Sequence, residues 1–121
     1  MRRTLDARHD GFPLHTPFRI SRGVKTVADV VTVTVREGEL VGRGEGVPYP
    51  RYGETVDGSL VAIAGMRALV EAGASREELA AAMPAGAARN AIDCALWDLE
   101  AKRAGTSVAA LAGCRAPEAL A

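Results

Sequence analysis

Several features that define large functional classes are scarce or missing in this sequence. Aromatic residues make up 4% of the 121 residues, and the only cysteines are Cys94 and Cys114. Two cysteines are too few for a disulfide scaffold and fit a cytosolic chain. No apolar run approaches the roughly 18 residues of a membrane span. The basic segment 1–6 has no apolar segment behind it, so we expect no signal peptide.

Charge of one sign is not in excess either, and the chain is short. Fifteen Lys and Arg residues balance fifteen Asp and Glu residues. Because nucleic-acid-binding domains usually carry a basic excess, a nucleic-acid module is not expected. A chain of 121 residues fits one domain. It is too short for a (β/α)8 barrel, which takes about 250 residues.

The pattern of the sequence changes once along the chain. Residues 1–48 show the alternation and turn signals of strands, whereas residues 55–112 show helical periodicity. Strands followed by helices predict an α+β fold. Alternating valines in the second strand are typical of a half-buried antiparallel strand. The predicted strands cover residues 4–18, 29–36 and 40–47, with a hairpin turn at 37–39.

Three glycines in the third strand mark a place of close packing. Gly42, Gly44 and Gly46 alternate along the strand, so they share one face. Glycine within a strand often marks a close approach of another backbone. This segment does not fit a phosphate-binding loop, because it lies inside a strand rather than before a helix. We therefore expect another element to pack directly on the backbone of this strand.

Helices are predicted throughout the second half of the chain. Thr55 can cap a first helix that continues to Gly73. Ser75 and Glu78 have the spacing of a capping box and predict a second, short helix that stops before Pro84. The third and longest helix is predicted over residues 87–104, and a last short helix over residues 107–113.

The long helix combines large apolar residues with a flank of alanines. A small-residue flank allows a neighbouring element to approach closely, and charged pairs four residues apart add a few tenths of a kcal/mol each. One side carries Ile92, Leu96, Leu99 and Arg103, and the small flank carries Ala88, Ala91 and Ala95. The spaced pairs are Arg89 with Asp93 and Asp98 with Lys102.

No motif in the sequence predicts a metal centre or a nucleophile. His9 and His15 lie in or near the first strand, without Cys-x-x-Cys or His-x-x-x-His spacing nearby. A zinc site needs several such ligands and is not expected. Cys94 lies within the long helix, where a small buried hydrophobe is the preferred interpretation. The helix carboxylates Asp93 and Asp98 are interpreted as ion-pair partners.

Two predicted loops beside the strands carry recognition residues. Tyrosine and arginine are common at binding sites, and a cluster of cations favours an anionic partner. The two loops together predict a rim that contacts an anionic ligand or another domain, and two solvated loops are the alternative. Residues 17–26 contain Arg19, Arg22 and Lys25, and residues 48–55 contain Tyr49, Arg51 and Tyr52.

Three segments of the sequence resemble a known family. Residues 13–23 (PLHTPFRISRG) and 44–54 (GEGVPYPRYGE) look like two loops of the dipeptide epimerases, in the muconate-lactonizing branch of the enolase superfamily. Residues 84–99 (PAGAARNAIDCALWDL) are similar to a helix that is shared across that branch. The two loops are the more specific segments and are similar to those of L-Ala-D/L-Glu epimerases.

The resemblance implies a fold and a domain organisation. The expected fold class is α+β, a three-stranded antiparallel meander followed by a small helical bundle, without the (β/α)8 barrel that follows in the family. Residues 1–113 are expected to form this N-terminal capping domain. Residues 114–121 are expected to begin the linker into the barrel. The chain departs from the family at Gly113-Cys114, where Gly-Gly is frequent.

The resemblance also implies how the chemistry is divided between domains. Family members remove an α-proton with two barrel lysines, while Mg2+ held by barrel carboxylates stabilises the enediolate. No catalytic or metal-binding residue is carried onto this chain, so we expect it to bind no Mg2+ and to be inactive alone. The loops cover the substrate, and the expected substrate contacts are Lys25, Arg22 and Tyr52. Arg19, Arg51 and Glu54 are expected to brace the loops or the barrel interface.

The expected function is therefore that of a capping domain in a cytoplasmic dipeptide epimerase that acts on murein-derived L-Ala-D/L-Glu peptides. Its partners would be the dipeptide and its own C-terminal barrel, without nucleic acid or membrane, and a homo-oligomer is left open. One alternative is another branch member, namely an N-acylamino-acid racemase, a muconate cycloisomerase or an o-succinylbenzoate synthase. A stand-alone binding domain is the alternative from a different class.

Overall fold

The computed structural model of the chain describes residues 2–20, 23–49 and 53–105, and for residues 12–20 and 23–28 it describes the backbone alone. The three strands form one antiparallel sheet in the order β1-β2-β3. Helices follow the sheet in the chain, so the predicted α+β class with a three-stranded meander is confirmed. The elements are β1 Arg3–Ile20, β2 Gly23–Glu37, β3 Leu40–Gly46, α1 Val56–Gly65, α2 Arg67–Glu71, α3 Arg76–Ala82 and α4 Ala87–Ala104.

The hairpin of β1 and β2 is longer than the sequence pattern predicts. The predicted loop over residues 17–26 is wrong for most of its length, because Phe18 to Ile20 pair with the first residues of β2. The register shifts between Pro13 and Phe18. Proline has no N–H to donate to a sheet, so the ladder is interrupted there. Pairing resumes after the shift and reaches Ile20 opposite Gly23.

The turn between β2 and β3 confirms the predicted hairpin. Gly38 has a φ of 63°, a backbone conformation that glycine adopts without steric cost. On the strand before it, Val31, Val33 and Val35 are fully buried, as their alternation predicts. These valines form the face of the sheet that packs against the helices.

The glycine face of β3 lies directly against α4, as expected. A Cβ atom at Gly44 would lie 2.1 Å from the carbonyl oxygen of Ala91. A Cβ at Gly42 would lie 2.2 Å from the carbonyl oxygen of Ala95, and a Cβ at Gly46 would lie 2.2 Å from that of Ala87. Two strand residues span about 6.6–6.8 Å and four helix residues about 6.0 Å, so the contact repeats in step along both elements.

The first predicted helix is divided into two helices in the structure. α1 ends at Gly65, and α2 begins at Arg67 after Met66 at φ −96° and ψ −2°. The N–H of Met66 bonds to the carbonyl of Ile63, three residues back, instead of four. Glycine weakens a helix interior by about 1 kcal/mol relative to alanine, which favours a break at this point. The predicted apolar stripe still faces the core, with Ile63 and Val70 fully buried.

The starts and ends of α3 and α4 agree with the sequence signals. Ser75 accepts a hydrogen bond from the N–H of Glu78, whose carboxylate accepts one from the N–H of Ser75. This reciprocal pair is the predicted capping box. α4 ends at Gly105, whose φ of 69° is the left-handed conformation expected of a residue that terminates a helix.

One predicted ion pair on α4 has a different partner. Asp93 does not pair with Arg89 but receives two hydrogen bonds, of 2.8 and 2.9 Å, from Arg76 on α3. The guanidinium of Arg76 also lies 3.7 Å from the ring centroid of Trp97. A planar guanidinium can do both at once, so Arg76 joins α3 to α4. The second predicted pair, Asp98 with Lys102, is present at 3.1 Å.

The core lies between the valine face of the sheet and the helices. Its largest fully buried side chains outside β2 are Leu5, Ile63, Val70, Leu79, Ile92, Leu96 and Leu99. Among the helices that the structure describes, none is long and apolar enough to cross a membrane. The predicted last helix over residues 107–113 and the predicted linker over 114–121 lie outside the described residues.

Candidate functional site

The three residues predicted to contact substrate are only partly covered by the structure. Arg22 and Tyr52 lie outside the described residues, as does the predicted brace Arg51. Lys25 is described as backbone alone, and it lies on β2 opposite Phe18, two pairs from the last pair of the long hairpin, Ile20 with Gly23. Its assignment to a loop is therefore wrong, while its role toward substrate stays a prediction.

A groove lies where β3 ends and α4 begins. Its volume is about 740 Å3. Val47 and Tyr49 lie on its wall as large hydrophobic residues with 55% and 52% of their surfaces exposed to solvent. The groove is lined by Glu45, Val47, Tyr49, Glu54, Ala85, Gly86, Ala87 and Asn90.

Glu54 connects both sides of this groove. One carboxylate oxygen, Oε1, accepts a hydrogen bond of 2.9 Å from the N–H of Tyr49. The other, Oε2, accepts one of 2.7 Å from the N–H of Ala87, the first residue of α4. The N–H of Glu54 bonds back to the carbonyl of Tyr49 at 3.3 Å. We call these three bonds the Glu54 clamp.

The start of α4 explains why a distant carboxylate is used there. Its N-cap is Gly86, which has no side chain to satisfy the first N–H groups. A carboxylate near a helix N-terminus is favoured by the helix dipole and by the unpaired N–H groups. A Cβ atom on Gly86 would lie 2.8 Å from Oε2 of Glu54. The glycine therefore leaves the space that the carboxylate occupies.

The sequence suggested Glu54 as a brace but did not identify its partner. Glu54 and Ala87 are 33 residues apart, and no local spacing rule connects them. A signal was present in the segment Pro84-Ala85-Gly86, which precedes a long helix without a Ser, Thr, Asp or Asn cap. A helix start of that kind requires a partner from elsewhere in the fold.

The described residues do not form a metal centre. Across residues 2–20, 23–49 and 53–105, no three His, Cys, Asp or Glu side chains lie close enough together to hold a metal ion. His9 pairs with Asp29 at 2.9 Å instead. Partial burial and the nearby charge of Asp93 raise the pKa of the Cys94 thiol. A thiol of raised pKa is a poor nucleophile, so the environment of Cys94 does not favour catalysis, but Cys94 is partly exposed and not the predicted buried hydrophobe.

Comparison with known proteins places this fold and site in a family. Residues 2–113 match the family of the mandelate racemase / muconate lactonizing enzyme, N-terminal domain. The chain therefore belongs to this family of the enolase superfamily. It is 48% identical over 116 residues to the L-Ala-D/L-Glu epimerase of Escherichia coli K12, covering 96% of this chain and 36% of the relative. An N-acetyl-D-glutamate racemase from Pseudoalteromonas is 39% identical over 84 residues, covering 66% of this chain and 26% of the relative.

Solved structures agree with the family assignment. An enolase family member from Agrobacterium tumefaciens with homology to dipeptide epimerases, solved with sodium and L-Ala-L-Glu, is 52% identical with a TM-score of 0.86, over 90% of this chain and 33% of that one. The dipeptide epimerase from Methylococcus capsulatus, solved with Mg and L-Arg-D-Lys, is 31% identical with a TM-score of 0.78, over 93% and 35%. This chain thus spans about a third of the length of these relatives.

Proposed function

We propose that this chain is the capping domain of an L-Ala-D/L-Glu epimerase. The observation that carries the proposal is the 48% identity to the E. coli epimerase over 96% of the chain. The Agrobacterium relative, solved with L-Ala-L-Glu, supports the same substrate. In this proposal the peptides derive from murein and the protein acts in the cytoplasm.

The reacting groups are assigned to the part of the full protein that this chain does not contain. The described residues offer no metal cluster, and the Methylococcus epimerase was solved with magnesium. Magnesium bound outside this chain would stabilise the negative charge that develops when the α-proton beside a carboxylate is removed. The 121 residues by themselves are expected to catalyse no exchange of the α-proton of L-Ala-D-Glu with deuterated water.

The contribution of this chain would be to bind and enclose the substrate. The long hairpin carries Lys25 near the end at which β1 connects to β2, and we assign Lys25 to the side-chain carboxylate of the glutamyl residue. Arg22 and Tyr52 are second candidates, after Lys25, for contact with the same carboxylate. These groups lie away from the reacting carbon, so they would determine which dipeptide is accepted rather than the chemistry.

A second candidate function is the racemisation of an N-acylamino acid. The similarity to the N-acetyl-D-glutamate racemase favours it. L-Ala-Glu and N-acetylglutamate share the same core, a glutamate whose nitrogen is acylated, and they differ in whether the acyl group carries an ammonium. Domains that recognise the glutamyl side chain would serve both substrates.

A chimera tests the proposed function. Residues 1–113 of this chain replace the matching third of the E. coli epimerase, and epimerisation of L-Ala-L-Glu and racemisation of N-acetyl-D-glutamate are measured. We expect the chimera to epimerise the dipeptide, whereas the truncated relative without any capping domain does not. A folded but inactive chimera, or one whose parts do not assemble, would contradict the proposal. Preference for N-acetylglutamate over the dipeptide would favour the second candidate.

Lys25 offers a test of the substrate contact within the same chimera. A charge-assisted hydrogen bond contributes about 1.5–3 kcal/mol. Lys25→Ala should therefore lower kcat/KM for L-Ala-L-Glu by roughly 10- to 150-fold, at 1.36 kcal/mol per decade. It should change kcat/KM much less for a dipeptide with an apolar second residue. Equal losses on both substrates would mean that Lys25 supports the hairpin and does not contact the carboxylate.

A further inference from the structure

We propose that Glu54 is a positioning residue for substrate binding, which acts by fixing Tyr49 to the start of α4. This inference rests on the proposed function. It is carried by the three hydrogen bonds of the Glu54 clamp, which tie one carboxylate to two separate segments of the groove wall.

The first step is that the clamp fixes the backbone of Tyr49 on both sides. The N–H of Tyr49 donates to Oε1 of Glu54, and its carbonyl accepts from the N–H of Glu54. A residue held at both its donor and its acceptor has little freedom to rotate. By holding this backbone, Glu54 sets where the aromatic side chain of Tyr49 starts from the groove wall, on which it is half exposed.

The second step is that the clamp connects Tyr49 to the close contact between the backbones of β3 and α4. Oε2 of Glu54 bonds to Ala87, whose carbonyl oxygen lies against Gly46 in the glycine contact of β3 with α4. That contact is between backbones and cannot shift by a change of rotamer. Tyr49 and Glu54, fastened to it, are held in position relative to the sheet.

The third step separates positioning from helix capping. Glu78 caps α3 with one carboxylate oxygen, on the N–H of Ser75. Glu54 caps α4 with one oxygen and uses the other for Tyr49. A capping role alone would need only the bond to Ala87. The second bond therefore implies that the loop must be held, as well as the helix.

The test uses the chimera with Glu54→Gln, Glu54→Asp and the matched control Glu78→Gln. The glutamine amide presents an N–H2 group to one of the two N–H donors, and the aspartate side chain is one methylene too short to reach both. We expect both Glu54 variants to raise KM for L-Ala-L-Glu about tenfold while kcat changes less than about twofold, since they disturb binding and leave the reacting groups in place. Glu78→Gln keeps an oxygen for the N–H of Ser75, so it should change Tm little and leave KM unchanged.

Amide hydrogen exchange gives a second readout that does not depend on activity. At least one of the N–H groups of Tyr49 and Ala87 should exchange faster in each Glu54 variant, and both should exchange at the wild-type rate in Glu78→Gln. Unchanged exchange would overturn the clamp. Faster exchange with an unchanged KM would overturn its positioning role. An inactive wild-type chimera would instead contradict the proposed function, and the exchange rates would still report on the clamp.

Discussion

The helices pack on the two edge strands of the sheet, β1 and β3, in different ways. On β3, the backbone of α4 packs directly against the backbone of the strand, because three glycines leave no β3 side chain in the contact. On β1, α1 and α2 pack through large side chains such as Leu5, Ile63 and Val70, all fully buried or nearly so. The contact at β3 requires that the strand carries no side chains there, whereas the contact at β1 requires large apolar side chains.

Polar groups reinforce the β1 side as well. The carboxylate of Glu71 accepts a hydrogen bond of 2.9 Å from the N–H of Leu5, at the outer edge of the sheet. Arg3 donates to the carbonyl oxygens of Val70 and Ala74 at 3.3 and 3.2 Å. Glu71 thereby pairs an N–H that an edge strand leaves free, and Arg3 ties β1 to the end of α2 and to the residue before the N-cap of α3.

The comparison shows where substitutions can be tolerated. A side-chain interface can repack around a smaller or larger residue at a moderate cost, whereas a backbone interface has no atoms that can rotate away. The groove with the Glu54 clamp lies at the end of the backbone interface. The geometry of this groove is therefore held by the contact between β3 and α4, which cannot repack.

The largest expected effect comes from Gly44→Ala. The new Cβ atom would lie 2.1 Å from the carbonyl oxygen of Ala91 and 2.6 Å from the N of Ala95. Because both are backbone atoms, the strand and helix must separate, and we expect a loss of about 3 kcal/mol or more in the free energy of unfolding, at the upper end for overpacking. Urea denaturation measures it.

A matched glycine provides the control for that substitution. Nothing lies within 4 Å of a Cβ at Gly65, the last residue of α1. Gly65→Ala should leave stability unchanged or raise it by up to about 1 kcal/mol. Similar unfolding curves for Gly44→Ala and Gly65→Ala would show that the backbone contact is looser than described.

An intermediate effect is expected from Glu71, on the β1 side. Glu71→Ala leaves the buried N–H of Leu5 without its acceptor, and we expect a loss of about 1–3 kcal/mol in the free energy of unfolding. Glu71→Gln keeps a carbonyl oxygen for the same N–H, so it should lose less. If the two variants denature at the same urea concentration, the bond to Leu5 makes no contribution.

The smallest effect concerns pH and the ion pairs of Glu37. Partial burial raises the pKa of Glu37, but the hydrogen bond from Arg3 and the charges of Arg103 and Arg3 outweigh it, so the pKa is lowered overall. A lowered folded-state pKa stabilises the fold above the ordinary glutamate value of about 4.3. That contribution is lost as the pH falls below this value, through the folded-state pKa.

The size of that effect is modest because solvent reaches the pair with Arg103, whose side chain is 48% exposed. We expect Glu37 to contribute about 0.2–1 kcal/mol, the range for accessible ion pairs. Stability curves between about pH 6 and pH 3, within the acid range, should fall less steeply for Glu37→Gln than for the wild type. Parallel curves for the two proteins would show that Glu37 does not contribute to the loss of stability in acid.

Elements with a strong local signal were predictable from the sequence. The valine alternation of β2, the capping box of α3 and the glycine that ends α4 are each read from neighbouring residues, and all three are confirmed. Weak or conflicting local signals led to errors. Proline and glycine in residues 17–26 indicated a loop where the strands stay paired, and one apolar stripe indicated a single helix where there are two.

The candidate site was less predictable than the fold. The resemblance directed attention to the loops, but the assignments of Lys25, Arg22 and Tyr52 to substrate stay predictions. The predicted partner of Asp93 was wrong, since Arg76 comes from another helix. Pairs four residues apart on a helix are visible in sequence, whereas pairs between elements depend on packing.

The order of strands and helices, the buried faces of β2 and α4 and the close approach expected at the three glycines were determined by the sequence alone, because hydrophobic period and glycine spacing act over a few residues. Only the tertiary structure decided that α4 is the element against those glycines, that Arg76 takes Asp93, and that Glu54 caps a helix 33 residues away. A buried or terminal polar group must find a partner somewhere, and which one is nearest is settled by how the helices dock on the sheet.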